Sequence, residues 1–326
     1  MSAIAPSGIL ALAPGQGAQA VGMGRAWFER APEARAVFEA ADRLLGNRLG
    51  VPLSQCCFAG PAELLNRTNI SQPAIYVASI ACWKGLLAKW GFGNGEANLA
   101  AAAGLSLGEY TALHVAGAIT FEEGLELVTL RGRAMQDAAE AQAGGMLALI
   151  GADDTQAEEV CAAARGSEVL VCANFNAPGQ VVLSGHKTAC ERAAKVATER
   201  GLRSSILAVA GAFHSPLMVP AADRLREALV KTPIRQPRCP VVSNVTARPH
   251  AADGSRGIDA TIRDLLTRQL TSPVRWADSC RWLLANPGSE TEPKAELHEL
   301  APGGTLAGLM RRIDRSAKVI SHDQPE

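Results

Sequence analysis

The sequence predicts an α/β fold in two parts: a large body made of residues 1–143 and 211–326, and a small one, residues 144–210, inserted between them. Three observations lead there. At both ends of the chain, short apolar runs break at Gly- or Pro-bearing turns and pass into amphipathic stretches, the alternation of an α/β sheet. Between residues 144 and 210 strand-like and helix-like segments follow the order β-α-β-β-α-β. The length, 326 residues, suffices for one large domain with a small insert and a sizeable core.

In chain order, Ile9 to Ala13 reads as a buried strand that breaks at Pro14 and enters the loop Gly15-Gln16-Gly17-Ala18-Gln19. Ser71 is placed to cap a helix with Pro73 in its first turn, and the apolar run Ala74 to Trp90 stops at Gly91. Small residues from Asn98 to Ala103 lead into Gly104-Leu105-Ser106-Leu107-Gly108, read as strand, tight turn and helix. Thr120 and Glu123 form a capping box, which predicts a helix from Phe121 to about Ala141. At about 100° per residue, Leu127, Val128, Ala134, Met135 and Ala138 share one arc of that helix. Glu122, Glu126, Arg133, Gln136 and Glu140 take the other side, and Arg131 falls in the middle of the apolar arc.

The insert is predicted from strands at Met146 to Ile150, Val169 to Ala173, Gln180 to Ser184 and Arg203 to Ala210. Helices at Thr155 to Ala164 and Thr188 to Glu199 separate them, which makes a ferredoxin-like unit. Phe213-His214-Ser215-Pro216 then opens a helix, a strand follows near Val241 to Asn244, and a Pro/Gly-rich loop near Arg248 to Gly257 precedes a helix from Ile258. Glu296 to Leu300 reads as a strand, Pro302-Gly303-Gly304 as a turn, Leu306 to Ile313 as a helix, and the last ten residues as a frayed tail. No internal repeat occurs.

Charge is balanced at 32 basic and 32 acidic residues, so no global field favours nucleic acid or an anionic membrane. The eight cysteines contain no CxxC pair and form no cluster with histidine at metal-ligand spacing, so neither a metal nor a cofactor site is expected. They read as buried thiols of a reducing cytosol. The N-terminal residues lack a signal-peptide pattern, and no run of about 18 apolar residues occurs. A cytoplasmic monomer is expected.

Gly104-x-Ser106-x-Gly108 has the form of a nucleophile elbow, in which small residues let the backbone hold a serine hydroxyl above a sheet at a helix N-terminus. This makes the large body α/β-hydrolase-like. A GxSxG string alone is weak in a Gly/Ala-rich chain; its place between strand and helix strengthens it. Of the six histidines, His214 sits where a strand end meets a Ser-Pro helix start, as an active-site base or as a mere junction residue. His114 should point away from Ser106, and His250 and His322 lie in a loop and in the tail. Arg131, charged on an apolar face, must find an anion. That anion is either an internal Asp or Glu or a substrate carboxylate gripped by the guanidinium fork. The Gly15 to Gln19 loop can bring backbone N–H groups close to a ligand. It lacks the endings of a P-loop and the spacing of a dinucleotide fold.

Six ordered blocks resemble malonyl-CoA:acyl carrier protein transacylases. They are Pro14 to Gln19, Gly104 to Tyr110, Leu130 to Gln136, Asn174 to Gln180, Gly211 to Ser215 and Arg268 to Val274. The resemblance runs from about Leu10 to Ile313. It implies Ser106 as nucleophile, His214 as general base and Arg131 as the clamp on the malonyl carboxylate. It further implies an oxyanion hole from the N–H groups of Gln16 and Leu107, and a main-chain carbonyl at Gln269 that orients the histidine. Met135 and Phe213 would line the acyl pocket. Malonyl-CoA and holo-acyl carrier protein are the implied partners, in a ping-pong transfer. Leu105 stands where many members have histidine, which leaves His214 the sole nearby base; Ala301 replaces a common glycine in a turn expected to lie away from the chemistry. The competing readings are an α/β serine hydrolase, whose acid lies between Ser and His in chain order, and a non-catalytic carrier-binding protein.

Overall fold

In a computed structural model the described residues are 6–92, 98–286 and 295–325. Among them nine strands run in chain order: β1 (Ile9–Ala13), β2 (Leu99–Gly104), β3 (Gly144–Ile150), β4 (Leu170–Ala177), β5 (Gln180–His186), β6 (Arg203–Ile206), β7 (Val241–Val242), β8 (Glu296–Leu300) and β9 (Val319–His322). The helices are α1 (Arg25–Arg30), α2 (Pro32–Leu45), α3 (Leu53–Ala59), α4 (Ala62–Leu65), α5 (Thr68–Lys89), α6 (Gly108–Val115) and α7 (Phe121–Ala141). They continue as α8 (Asp154–Arg165), α9 (Lys187–Glu199), α10 (Val219–Lys231), α11 (Ile258–Gln269), α12 (Trp276–Ala285) and α13 (Thr305–Ile313).

The larger sheet is parallel, in the order β7-β2-β1-β8-β9. A central parallel strand is covered on both faces and reads as an unbroken apolar run, and β1 is buried at every position. Its side chains alternate between two cores: Ile9 and Ala11 pack with Ala102 beneath α5, α6 and α7. Leu10 and Leu12 pack with Ala101 and Ala103 under α12 and α13. The smaller sheet is antiparallel, in the order β4-β5-β3-β6. Leu147, Leu149, Val181 and Leu183 face α8 and α9, while Met146 and Val182 on the opposite face join the core of the large body. A single bridge ties the two parts beside the site: Phe175 N–H donates to the Val274 carbonyl at 2.9 Å, and Val274 N–H to that of Ala173 at 2.8 Å.

Helix α7 begins where the capping box places it, with both reciprocal bonds between Thr120 and Glu123 present, and ends at Ala141. Its expected apolar arc is buried and Arg131 with it. Gln136 departs from its expected polar side: it is buried, and its Oε1 accepts the Thr68 N–H at 3.0 Å. That bond explains a second difference. Helix α5 starts at Thr68, three residues before Ser71, so Pro73 falls inside it. Eighteen of its 22 residues are buried, and burial on every side outweighs the backbone hydrogen bond lost at a proline.

Two further expectations fail for tertiary reasons. The strand expected to reach Ala210 ends at Ile206, and Leu207, Ala208 and Val209 turn into a cavity instead. The frayed tail is in fact β9, an edge strand parallel to β8. It is held by side chains outside its own sequence: Trp27 Nε1 donates to the His322 carbonyl at 2.9 Å, and Ser321 Oγ to buried Glu299 at 2.8 Å. The Ala301 turn is buried. It leads directly into α13, whose Thr305 and Leu309 line the same cavity.

Candidate active site

The turn between β2 and α6 is built around two glycines. A Cβ on Gly104 would come within 1.9 Å of the Gly108 carbonyl carbon, and one on Gly108 within 2.1 Å of the Ala13 oxygen. Only hydrogen fits at either place. The serine between them is forced to a left-handed backbone, φ 53°, a conformation that side chains other than glycine adopt at a cost of order 1–3 kcal/mol. Neighbours hold it there. Asn244 accepts the Ser106 N–H at 2.6 Å and donates to the Gly104 carbonyl at 2.7 Å, while Gln269 Nε2 donates to the Ser106 carbonyl at 2.9 Å.

Facing it is a second residue in the same conformation, His214 at φ 58°. Its Nε2 lies 2.8 Å from Ser106 Oγ, and its Nδ1 2.7 Å from the Gln269 carbonyl oxygen. A carbonyl can only accept, so Nδ1 carries the hydrogen and Nε2 offers its lone pair to the serine hydroxyl. The place a hydrolase would give to an acid is taken by a main-chain oxygen. Burial, helped by the nearby Arg131 charge and opposed by the Gln269 bond, lowers the imidazole pKa to about 4.

The sign of that shift sets the pH behaviour. A histidine depressed below its usual 6.5 stays neutral, and hence basic at Nε2, as acidity rises through pH 6.5. Acylation of Ser106, followed in single turnovers, should therefore hold steady from pH 8 to about 5 and fall with a midpoint near 4. A midpoint near 6.5 would show the imidazole to be solvated and the geometry wrong.

Arg131 reaches the same point from α7. Its Nη2 donates to Ser106 Oγ at 3.1 Å and to Gln269 Oε1 at 3.0 Å, and Nη1 donates to Gln72 Oε1 at 2.7 Å. Only 1 % of the residue is exposed, and its Nε–H meets no acceptor. All of these partners are neutral. An internal ion pair, one of the two readings open from sequence, is therefore not what the fold supplies among the described residues. A buried guanidinium with uncommitted N–H donors beside a nucleophile is a site for an anionic group.

The loop after β1 lies against the elbow: Leu105 N–H donates to the Ala13 carbonyl at 3.0 Å. Neither the Gln16 N–H nor the Leu107 N–H donates to another backbone group among the described residues. Ser106 and His214 open into a cavity of about 330 Å³ whose walls include Gln16, Leu105, Met135, Phe213, Asn174 and Asn176. Met135 is itself fixed by Gln72, whose Nε2 donates to its sulfur at 3.2 Å. Of the residues expected from sequence, Gln16, Ser106, Met135, Phe213 and His214 line this cavity, Arg131 and Gln269 are hydrogen-bonded to Ser106, and Leu107 follows Ser106 in the chain. A roomier groove of about 480 Å³ lies along α7, beside Leu127 and Arg133, and its lining includes no serine, cysteine or histidine.

Sequence reasoning passed over four contributors: Gln72, Asn244, Glu109 and His250. Glu109 lies inside the elbow motif with nothing in the sequence to mark a role, and His250 lies in a Pro-rich loop. The structure buries both and joins them, His250 Nε2 lying 2.8 Å from Glu109 Oε1. His114, as expected, points elsewhere, toward the Ile119 carbonyl at 3.2 Å.

Known proteins resemble the chain along most of its length. The family model described as "Acyl transferase domain" matches residues 12–301. The malonyl CoA-acyl carrier protein transacylase of Salmonella typhimurium is 40 % identical over 301 residues, 92 % of this chain and 91 % of that protein. The transacylase of Bacillus subtilis is 38 % identical over 322 residues, 98 % and 95 % of the two chains. Among solved structures, the malonyl-CoA:acyl carrier protein transacylase of Xanthomonas oryzae superposes with a TM-score of 0.87 at 40 % identity, covering 99 % of this chain and 96 % of that one. A malonyl-transacylase solved in complex with a type II polyketide acyl-carrier protein gives 0.86 at 34 % identity, covering 97 % and 96 %. With an acyl transferase model spanning most of its length and relatives of this similarity, the chain belongs to the malonyl-CoA:acyl carrier protein transacylase family.

Proposed function

We propose that this chain transfers a malonyl group from malonyl-CoA to the phosphopantetheine thiol of an acyl carrier protein, through an ester on Ser106, for fatty-acid or polyketide chain extension. The observation that carries the reading is Arg131, buried, bonded only to neutral groups and within 3.1 Å of Ser106 Oγ. A nucleophile alone would serve any acyl group; a guanidinium beside it suits one that bears its own carboxylate.

In the first half-reaction His214 Nε2 takes the hydroxyl proton as Ser106 Oγ attacks the thioester carbonyl. The N–H groups of Gln16 and Leu107 receive the developing oxyanion, each worth about 3 to 4 kcal/mol. Collapse expels the CoA sulfur, which takes the proton from His214. In the second, the carrier thiol gives its proton to His214 and attacks the malonyl ester, and Ser106 leaves with that proton. The Gln269 carbonyl keeps the imidazole in the required tautomer throughout. Met135 and Phe213 bound the space for the acyl group, and the chain itself needs no metal or cofactor for these steps.

We read residues 1–143 and 211–326 as an α/β-hydrolase-like subdomain and residues 144–210 as a ferredoxin-like one, with the cavity between them. The observed sheet orders support this reading. Among the described residues no helix is long and apolar enough to cross a membrane.

Intact-mass measurement tests the proposal. The protein is mixed separately with malonyl-CoA, acetyl-CoA and methylmalonyl-CoA, and holo-carrier is then added. Malonyl alone should label the protein well and then pass to the carrier. A label that is lost to water, with none on the carrier, would mark a hydrolase; no label at all would mark a non-catalytic relative.

A further inference from the structure

Glu109, in the first turn of α6, is a fully buried carboxylate to which the proposed reaction gives no part. It does not touch Arg131, whose partners are Gln72, Ser106 and Gln269. Its Oε1 accepts from His250 Nε2 at 2.8 Å. Its Oε2 accepts from the Asn244 N–H at 3.1 Å and from Gln269 Nε2 at 2.6 Å.

Gln269 is the link between this carboxylate and the chemistry. A primary amide can be turned either way, but here each end has one permitted side. Glu109 and the Ser106 carbonyl can only accept, so Nε2 must face them; Arg131 can only donate, so Oε1 must face it. Without the carboxylate the amide loses its strongest anchor, since hydrogen bonds to ionised groups are about twice as strong as neutral ones. A turned amide would present N–H to a guanidinium, donor against donor. A negative charge at Glu109 also offsets the burial of a positive one at Arg131.

We propose that Glu109 is a positioning residue and remote counter-charge for Arg131: it holds the Gln269 amide toward the guanidinium, and balances the guanidinium charge without pairing with it. The fork is thereby kept charged, aimed and bonded only to neutral groups until an acyl carboxylate arrives. A carboxylate in direct contact with Arg131 would neutralise it equally well and would compete with the substrate. One intervening amide avoids that competition. His250, bonded to the other carboxylate oxygen, keeps Glu109 from swinging into the fork. This inference rests on Arg131 being the malonyl clamp.

The test is Glu109→Gln, which keeps the shape and removes the charge, assayed for transfer from malonyl-CoA and from acetyl-CoA on the same preparation. The ratio of the two kcat/KM values is then independent of how much of the sample is folded. The malonyl-over-acetyl preference should fall about tenfold or more, chiefly through KM for malonyl-CoA. Glu109→Asp, which restores the charge, should recover part of that preference. If Glu109→Gln gives no folded protein, Glu109→Asp alone is compared with the parent, and its shorter reach should cost about threefold or more in the ratio. A purely structural carboxylate would lower both donors in proportion, and an unchanged ratio in the folded variant overturns the inference. Should the parent protein itself show no preference for malonyl, it is the proposed function that fails instead.

Discussion

Replacing Ser106 with alanine should abolish the malonyl label on the protein and slow carrier malonylation by on the order of 10⁵-fold or more, about 7 kcal/mol of transition-state stabilisation. The size follows from the double-displacement route. In the proposed route both half-reactions pass through Ser106 Oγ, so its loss leaves only direct attack of the carrier thiol on a bound thioester. Among the described residues no cysteine and no second serine lines the cavity. The fold should survive the change. The strained backbone is held by the Ser106 N–H and carbonyl, through Asn244 and Gln269, and the substitution removes neither. A melting temperature within a few degrees of the parent, together with no label, is the expected pair of results. Persistent labelling of the alanine variant would place the nucleophile elsewhere.

What could be read ahead of the structure was whatever chemistry is written locally in side chains. The Thr120 and Glu123 pair set the start of α7 because a capping box closes within four residues. Arg131 stood out because helical periodicity alone put a charge on a buried face. The glycines at 104 and 108 marked the elbow because nothing larger fits there. Roles borne by the main chain were another matter. A carbonyl that orients an imidazole, as at Gln269, leaves no trace in the identity of its side chain, and only family resemblance pointed to it. Asn244 and His250 gain their importance from partners more than 130 residues away, as the 2.6 Å bond to Ser106 and the 2.8 Å bond to Glu109 show. The same holds for β9. Its four residues carry little apolar signal, and its pairing depends on Trp27 and Glu299 at distant points of the chain. The early start of α5 likewise depends on Gln136, a residue periodicity had assigned to solvent.

Arg131→Ala should separate binding of the acyl group from the chemistry of the serine. For malonyl-CoA, kcat/KM is expected to drop by about 10² to 10³-fold, the cost of leaving a buried carboxylate without its guanidinium, about 3 to 4 kcal/mol. For acetyl-CoA, which brings no carboxylate, the drop should stay within about tenfold, reflecting only the lost contact to Ser106 Oγ at 3.1 Å and the space left behind. Arg131 also depresses the His214 pKa, so removing it should move the acid limb of the rate profile upward, toward the ordinary histidine value. The two donors must therefore be compared on the plateau well above that limb. Arg131→Lys gives the complementary result: the charge remains but the planar fork is gone, so malonyl transfer should fall between the parent and the alanine variant. Equal losses for both donors would make Arg131 a structural support for the elbow and remove the ground for a carboxylate-bearing substrate. A loss confined to malonyl-CoA would instead tie substrate choice to one side chain, held in place by the neutral amides of Gln72 and Gln269.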